Sequence, residues 1–393
     1  MQITFIDTEE SWKQMLPLSY TRPIAELRVG ILKLHEKWSS ILSAEKVFFR
    51  SEDYLRPLFE APTQKTLTIL GNVLPNPKLI DAIQTLGEDK VLIQDDQVIA
   101  GYFDANEPFE QAQRKAISIE GIKQVIHPWD IFRSNGEQIM HDFGLITKDK
   151  TSQSLDDPYT KTYGDKIFIE EGAKVKAAVL NAEDGPIYIG KNADVQEGAL
   201  IRGPFALCDH STINMGAKIK GDTTIGPHCK VGGEVSNAVI MGYSNKGHEG
   251  FLGNSVIGEW CNLGADTNNS NLKNNYANVK MWDFASGTFK DTGLQFCGLI
   301  MGDHSKCGIN TMFNTGTTVG VSANIFGDGF PRTIIPSFAW GGASGFSTYQ
   351  TRKAFETAEL VMKRRNKALT EEDKAMLSHI FEITAENRVW EKK

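Results

Sequence analysis

Between residues 189 and 231 an aliphatic side chain stands at every sixth position: Ile189, Val195, Ile201, Leu207, Ile213, Ile219, Ile225 and Val231. The residue four places after each is mostly small, running through Ala193, Ala199, Phe205, Ser211, Ala217, Thr223, Cys229 and Val235. The pattern resumes at Phe251, Ile257 and Leu263 and again at Met301, Cys307, Phe313, Val319 and Ile325, with a weaker start at Ile169 and Val175. An amphipathic helix repeats at 3.6 residues and a half-buried strand at 2, so a period of six fits neither. It specifies a parallel β-helix. Each six-residue unit makes one short face and one turn, and three units close a triangular coil. The aliphatic residue points into a narrow prism whose corners admit only a small neighbour.

Two stretches break the period, 237–250 and 268–300, and are expected to leave the prism as loops, where function tends to sit. After the last coil comes a proline- and aromatic-containing segment, Gly327–Gly342, and then a helical tail. In the tail Phe355, Ala358, Val361 and Met362 share one face, and Thr370 with Asp373 resembles a capping box before Met376, Leu377, Ile380 and Phe381. The tail is expected to cover one end or edge of the prism. The first 150 residues read differently. Short apolar runs at the N-terminus, Lys46–Phe49, Thr66–Leu70 and Lys90–Ile93 suggest buried strands. Between them Ile24, Leu27, Ile31, Leu34, Trp38 and Ile41, and then Leu79, Ile80, Ile83 and Leu86, keep helical spacing; a third helix starts near Pro128. Strands alternating with helices imply an α/β domain on a parallel or mixed sheet. The expected division is an α/β domain over 1–160, a β-helix over 161–345 and a helical tail over 346–393.

Composition narrows the function classes. Acids outnumber bases 49 to 42 and no basic stripe is visible, which argues against nucleic-acid binding. No run approaches eighteen apolar residues, so no membrane span is expected, and the opening MQITFIDTEE lacks the order of a secretory signal, pointing to the cytoplasm. Five cysteines (Cys208, Cys229, Cys261, Cys297, Cys307) show no paired CxxC spacing; neither a disulfide framework nor a metal site is indicated, and buried reduced thiols are expected.

The chemistry-bearing residues lie around the first break. Lys246-Gly247-His248 is followed by Phe251-Leu252-Gly253, by Val256-Ile257-Gly258, and by Asn262-Leu263-Gly264-Ala265 running on to Asn271; the pattern resumes from Gly302-Asp303 to Val319-Gly320. Behind an α/β domain, this resembles the GlmU-type bifunctional family, which couples N-acetylglucosamine-1-phosphate uridylyltransferase to glucosamine-1-phosphate N-acetyltransferase. The resemblance implies a left-handed parallel β-helix acyltransferase domain and a homotrimer with its active site between chains. It also implies acetyl-CoA as donor and an amino sugar phosphate as acceptor. His248 corresponds to the family's base: an amine attacking a thioester must lose a proton, and imidazole, with an unperturbed pKa of about 6.5, can take it. Asn262 and Asn271 correspond to asparagines that contact the sugar and the amine. Ala265 corresponds to the residue whose N–H meets the tetrahedral oxyanion, an effect worth about 3–4 kcal/mol.

Three positions depart from the family: Ser236 stands where it has a lysine, Phe251 where it has a tyrosine, and Leu272 replaces another tyrosine. A phosphate needs cations or N–H donors, and Arg202, Lys218, Lys220, Lys246 and Lys273 are the candidate replacements. By resemblance, coenzyme A passes near Gly327 and Ile309, with Arg332 as a phosphate contact. The basic run Lys363–Arg365 could meet its 3′-phosphate or simply be a solvated helix face.

In the first domain Leu16-Pro17-Leu18-Ser19 and Arg22-Pro23 resemble the segment after the nucleotide loop of sugar nucleotidyltransferases. The glycine-rich loop itself is replaced by Asp7-Thr8-Glu9-Glu10-Ser11-Trp12, and Gly71-Asn72 stands where the family has Gly-Asp, whose carboxylate holds magnesium. If the domain transfers a nucleotide from UTP or another triphosphate with Mg²⁺, Arg22 is the candidate for the phosphates, with Asn72 and Asn135 near the sugar or metal. Two function classes stay open: an acetyl-CoA-dependent transferase, with or without nucleotidyl transfer, and a trimeric β-helix that binds sugar nucleotide or serves as a scaffold.

Overall fold

The alternation of apolar runs in the first domain is realised as a six-stranded mixed sheet with strand order β2-β1-β3-β5-β4-β6. Its strands are β1 (Gln2–Ile6), β2 (Lys46–Arg50), β3 (Thr66–Leu70), β4 (Lys90–Gln94), β5 (Gln97–Phe103) and β6 (Lys115–Ser118). The computed structural model of the chain describes residues 1–110 and 114–392. β1 pairs in parallel with β2 and β3, while β5 runs antiparallel to both β3 and β4. The helices are α1 (Glu9–Gln14), α2 (Leu34–Leu42) and α3 (Pro77–Gln84). The helical spacing that starts at Ile24 is realised only in α2; Ile24–Glu26 is a 3-10 turn and Leu27 is extended. Gly30 breaks the helix with φ +87°, and a β-carbon there would lie 2.5 Å from the Asp142 carboxylate.

Two compact units emerge, Met1–Leu27 with Leu32–His127, and Arg28–Ile31 with Pro128–Lys393. The division therefore falls at His127 rather than near 160. The reason is α4 (Pro128–Thr147), which packs on the coil: Ile31 and Ile139 share a buried cluster with Phe168, Tyr188 and Ala206. Polar contacts fix it further. Asn135 accepts from Gly30 N–H at 2.7 Å and donates to Asp222 O at 2.8 Å, and Asp142 accepts from Ile31 N–H at 2.8 Å. Asn135 is thus an anchor of helix to coil, with its amide engaged there rather than beside a sugar or metal.

The second unit is a parallel β-solenoid of about 10 turns over residues 161–341, as the six-residue period requires. Across residues 187–231 residue n pairs with residue n+18: Ile187 with Phe205, Phe205 with Thr223, Asp194 with Thr212, Thr212 with Lys230. The aliphatic column from Ile169 through Ile225 to Ile335 is buried as one core. Each such side chain contributes roughly 1.5–3 kcal/mol by leaving water. All five cysteines are buried and none is in a disulfide.

The two breaks behave differently. Residues 237–250 remain in the coil rather than leaving it: Glu234–Ile240 and Phe251–Ile257 are ladder strands, and Val231 pairs with Lys246. The rung shortens to fifteen residues (Ile225 with Ile240) and then runs to seventeen (Ile240 with Ile257), which backbone pairing tolerates. The second break is a true excursion, because Ile257 pairs next with Met301. It carries an antiparallel hairpin, Lys280–Asp283 with Thr288–Asp291.

The tail forms α5 (Thr351–Lys363) and α6 (Glu371–Ile383), the latter with the expected capping box: Asp373 N–H donates to Thr370 Oγ1 at 3.1 Å and Thr370 N–H to Asp373 Oδ2 at 2.9 Å. Trp390 packs against the core at the last coil, 5.9 Å from the Phe346 ring. Further back, Arg365, just beyond α5, donates to His228 O and Asn245 Oδ1, both at 3.3 Å.

Candidate active site

Stacked rungs turn distant residues into vertical neighbours. Lys230 pairs with Asn245, Asn245 with Asn262, and Asn262 with Lys306, so four polar side chains climb one face at the strand spacing of about 4.8 Å. Each sits one place before an inward-facing residue: Val231, Lys246, Leu263 and Cys307. Beside this face runs a ladder of rings at turn positions with φ near 60°. His210 stacks on His228 at 4.9 Å, His228 on Tyr243 at 4.8 Å and Tyr243 on Trp260 at 4.2 Å.

The turn that carries His248 is held from inside. Lys246 occupies the column of Val231 and Leu263 and is 2% exposed. Its ammonium donates to His248 O at 2.5 Å and Glu249 O at 3.2 Å, and burial pushes its pKa down to about 8. Lys246 is therefore a strut of the turn rather than a phosphate ligand at the surface. Asn214 Nδ2 donates to Gly247 O at 2.7 Å, Asp266 N–H to Glu249 O at 3.0 Å, and Gly250 closes the turn with φ +115°. The His248 imidazole is left exposed, with no hydrogen bond to the ring among the described residues.

His248, Asn262 and Ala265 line one cavity of about 730 Å³, within the usual range for a small-molecule site. Lys230, Tyr243, Asn245, Trp260, Lys306 and Ile309 contribute further wall, and the tail supplies Thr357, Val361, Arg364 and Arg365. Ala265 N–H donates no hydrogen bond among the described residues, while its carbonyl accepts from Asn310 at 2.8 Å. The cavity thus offers an exposed imidazole, a side-chain amide and an unengaged backbone donor.

Asn271 does not line this cavity. Its Nδ2 donates to Asn254 at 2.7 Å beside Gly253, where the Phe251 ring also lies. Ser236 pairs with Gly253, and Lys218 and Phe251 both pair with Glu234, so these positions cluster on a different face of the coil. Lys220 is paired to Glu234 at 2.7 Å, Arg202 to Asp184 at 3.0 Å, and Lys273 donates to Asn278 O at 2.9 Å within the excursion. Arg332 lines a second cavity of about 940 Å³ with Trp282, Phe346 and Trp390; Gly327 lines neither. Sequence reasoning missed Lys230, Asn214, Tyr243, Asn245, Trp260 and Lys306. Only part of the column had a signal in the sequence: Lys230, Asn262 and Lys306 each precede a member of the six-residue period, whereas Asn245 precedes Lys246.

In the first unit, Asp7, Ser51 and Asn72 follow the carboxyl ends of three adjacent strands, a usual position for ligands in open α/β sheets. Asp7 Oδ2 accepts from Ser51 Oγ at 2.7 Å and Ile24 N–H at 3.1 Å. Asp7 Oδ1 and Asn72 Oδ1 are buried without a partner, and burial pushes the Asp7 carboxyl up to about 7. Arg22 is buried here. Among the described residues no three His, Cys, Asp or Glu side chains converge on a metal position.

Residues 3–151 match the sugar nucleotidyl transferase family. The chain also matches bifunctional proteins. The chain is 24% identical over 255 residues to the bifunctional protein GlmU of Synechococcus elongatus, covering 61% of this chain and 51% of that protein. It is 30% identical over 211 residues to the bifunctional protein GlmU of Methanocaldococcus jannaschii, 52% of this chain and 44% of that protein. These matches support a GlmU-type family. A bifunctional sugar-1-phosphate nucleotidylyltransferase/acetyltransferase of Sulfurisphaera tokodaii is 30% identical over 160 residues, 40% of this chain and 37% of that protein. The chain spans about half or less of the length of these GlmU-type relatives. A solved UDP-N-acetylglucosamine acyltransferase from Campylobacter jejuni aligns at 14% identity and a TM-score of 0.19 over 57% of this chain and 95% of that one. The coil is defined instead by its own strand register. Among the described residues no helix is long and apolar enough to cross a membrane.

Proposed function

We propose that the coil cavity carries out acetyl transfer from acetyl-CoA to the amine of an amino sugar phosphate of the glucosamine 1-phosphate type. The observation that carries this reading is the convergence of His248, Asn262 and Ala265 on one cavity. The amine nitrogen attacks the thioester carbonyl and forms the N–C bond. His248 takes the proton released from nitrogen, Ala265 N–H donates to the developing oxyanion, and Asn262 orients the sugar. Collapse breaks the C–S bond, and the proton held by His248 passes to the departing thiolate, giving CoA thiol and the N-acetyl sugar. A positioned base contributes about 10²–10⁴-fold and an oxyanion donor about 10²–10³-fold. Purified protein should release CoA thiol with acetyl-CoA and glucosamine 1-phosphate; no release over a panel of amino sugars would favour the scaffold reading.

Asn271, Ser236 and Phe251 stand on another face, and a homotrimer would bring one chain's His248 cavity against that face of a neighbour. Mixing His248→Ala with Asn271→Ala chains then restores activity that each lacks alone; no restoration counts against a shared site. Five buried cysteines outside any disulfide agree with a reducing, cytoplasmic location. The family match over 3–151 favours a second activity, sugar-1-phosphate nucleotidyl transfer from UTP or another nucleotide in the first unit. Magnesium there would lean on phosphate oxygens of the nucleotide, since Asp7 and Asn72 supply only one unpaired oxygen each. Pyrophosphate release from UTP and N-acetylglucosamine 1-phosphate tests it.

A further inference from the structure

The His248 cavity is lined by Lys230, Lys306, Arg364 and Arg365 and by no aspartate or glutamate, in a chain whose acids outnumber its bases. None of the four makes an ion pair with a carboxylate among the described residues. Lys230 and Lys306 bracket Asn245 and Asn262 in the polar column, while Arg364 caps α5 and Arg365 follows it. Arg365 is held in place through one nitrogen, Nη2, on His228 O and Asn245 Oδ1 at 3.3 Å, which leaves the rest of its fork of donors for a ligand. Lys306 spends one donor on His304 O at 2.9 Å. Burial is the main cause that lowers the His228 pKa beside them; His210, Arg365 and Lys367 lower it further and Asp209 opposes them. Cations are favoured at a helix C-terminus for the helix's own sake, which accounts for Arg364 but not for two lysines on the coil.

The geometry points to an anion subsite in this cavity, in which Lys230 and Lys306 of the coil and Arg364 and Arg365 of the same chain's tail bind a phosphate or pyrophosphate group. Paired arginines suit phosphate because their fork of N–H donors matches its oxygens. The inference rests on the acetyl-transfer reading only for the source of the phosphate, which is either the amino sugar phosphate or coenzyme A. It also explains how a phosphate can be held although Ser236 and Phe251 replace the family's lysine and tyrosine and lie on another face.

Calorimetric titration of the full chain with inorganic pyrophosphate tests the subsite without any need for catalysis. Wild-type protein should bind with an affinity that falls as salt rises. Arg364→Ala/Arg365→Ala and, separately, Lys230→Gln should each weaken binding at least about 10-fold with unchanged thermal unfolding. Equal binding by wild type and both variants, or no binding by folded wild type at millimolar pyrophosphate, overturns the subsite. Kinetic arms separate the sources. A KM raised for acetyl-CoA but not for S-acetylpantetheine assigns the phosphate to the cofactor; a KM raised for glucosamine 1-phosphate but not glucosamine assigns it to the sugar. Pyrophosphate binding without acetyl transfer would remove the proposed reaction and keep the subsite; transfer without pyrophosphate binding would do the reverse.

Discussion

Replacing Lys246 by methionine takes an ammonium out of an aliphatic column while keeping the bulk of its stem. The Lys246 pKa of about 8, against an ordinary 10.5, means that burial disfavours the charged form by about 3.4 kcal/mol at 1.36 kcal/mol per unit. Methionine avoids that cost between Val231 and Leu263 but gives up two hydrogen bonds from a charged donor, roughly 1.5–3 kcal/mol each. The terms largely cancel, so the urea-unfolding free energy should change by less than about 3 kcal/mol. The turn itself loses both ties. Asp266 N–H, bonded to Glu249 O, and Glu234 N–H, bonded to Gly250 O at 3.2 Å, should exchange with deuterium about 30–150-fold faster, the equivalent of about 2–3 kcal/mol in local opening. Acetyl transfer should fall with them. A pH signature follows as well. Between about pH 8 and 10.5 the unfolded chain binds the proton that folded Lys246 has released, so stability rises with pH across that window, and methionine removes the rise. Unchanged exchange at Asp266 and Glu234, or an unaltered alkaline stability profile, would refute the strut.

Two further perturbations probe the turn and the first unit. Gly250→Ala forces a β-carbon to 2.1 Å from Thr267 O at φ +115°, where strain alone costs roughly 1–3 kcal/mol; urea melts should show a loss of at least that size together with reduced transfer, and a neutral result would contradict the turn geometry. Asp7 has a folded pKa of about 7 against an ordinary 3.8, so the folded state holds a proton that the unfolded chain has lost between those values, and stability falls as pH rises through that window by up to about 4 kcal/mol. Asp7→Asn should flatten that slope in urea melts between pH 4 and 8, and a slope identical to wild type would contradict the buried carboxyl.

What the sequence disclosed follows from which forces act locally. The inward column is a property of one rung, so Ile189 through Val231 could be read directly. The fate of 237–250 could not, because Lys246 takes an inward place and the fifteen-residue rung erases the period while the backbone ladder continues. The polar column was hidden for a related reason: Asn262 and Lys306 are adjacent in space but separated by the excursion of 268–300. Helical spacing from Ile24 to Ile31 misled because the Gly30 and Ile31 N–H groups bond to Asn135 and Asp142, a tertiary choice that periodicity does not encode. In the tail, the amphipathic face and the Thr370–Asp373 box were local and legible. The reach of Arg365 back to His228, and with it the cationic wall of the cavity, was not.

Continuous measurement of CoA thiol from acetyl-CoA and glucosamine 1-phosphate, with wild type beside His248→Ala and Asn262→Ala, bears most directly on the cavity. The account predicts turnover by wild type, a loss of about 10²–10⁴-fold on removing the imidazole, and a smaller loss on removing the amide. A His248→Ala protein that transfers acetyl groups at the wild-type rate would contradict it.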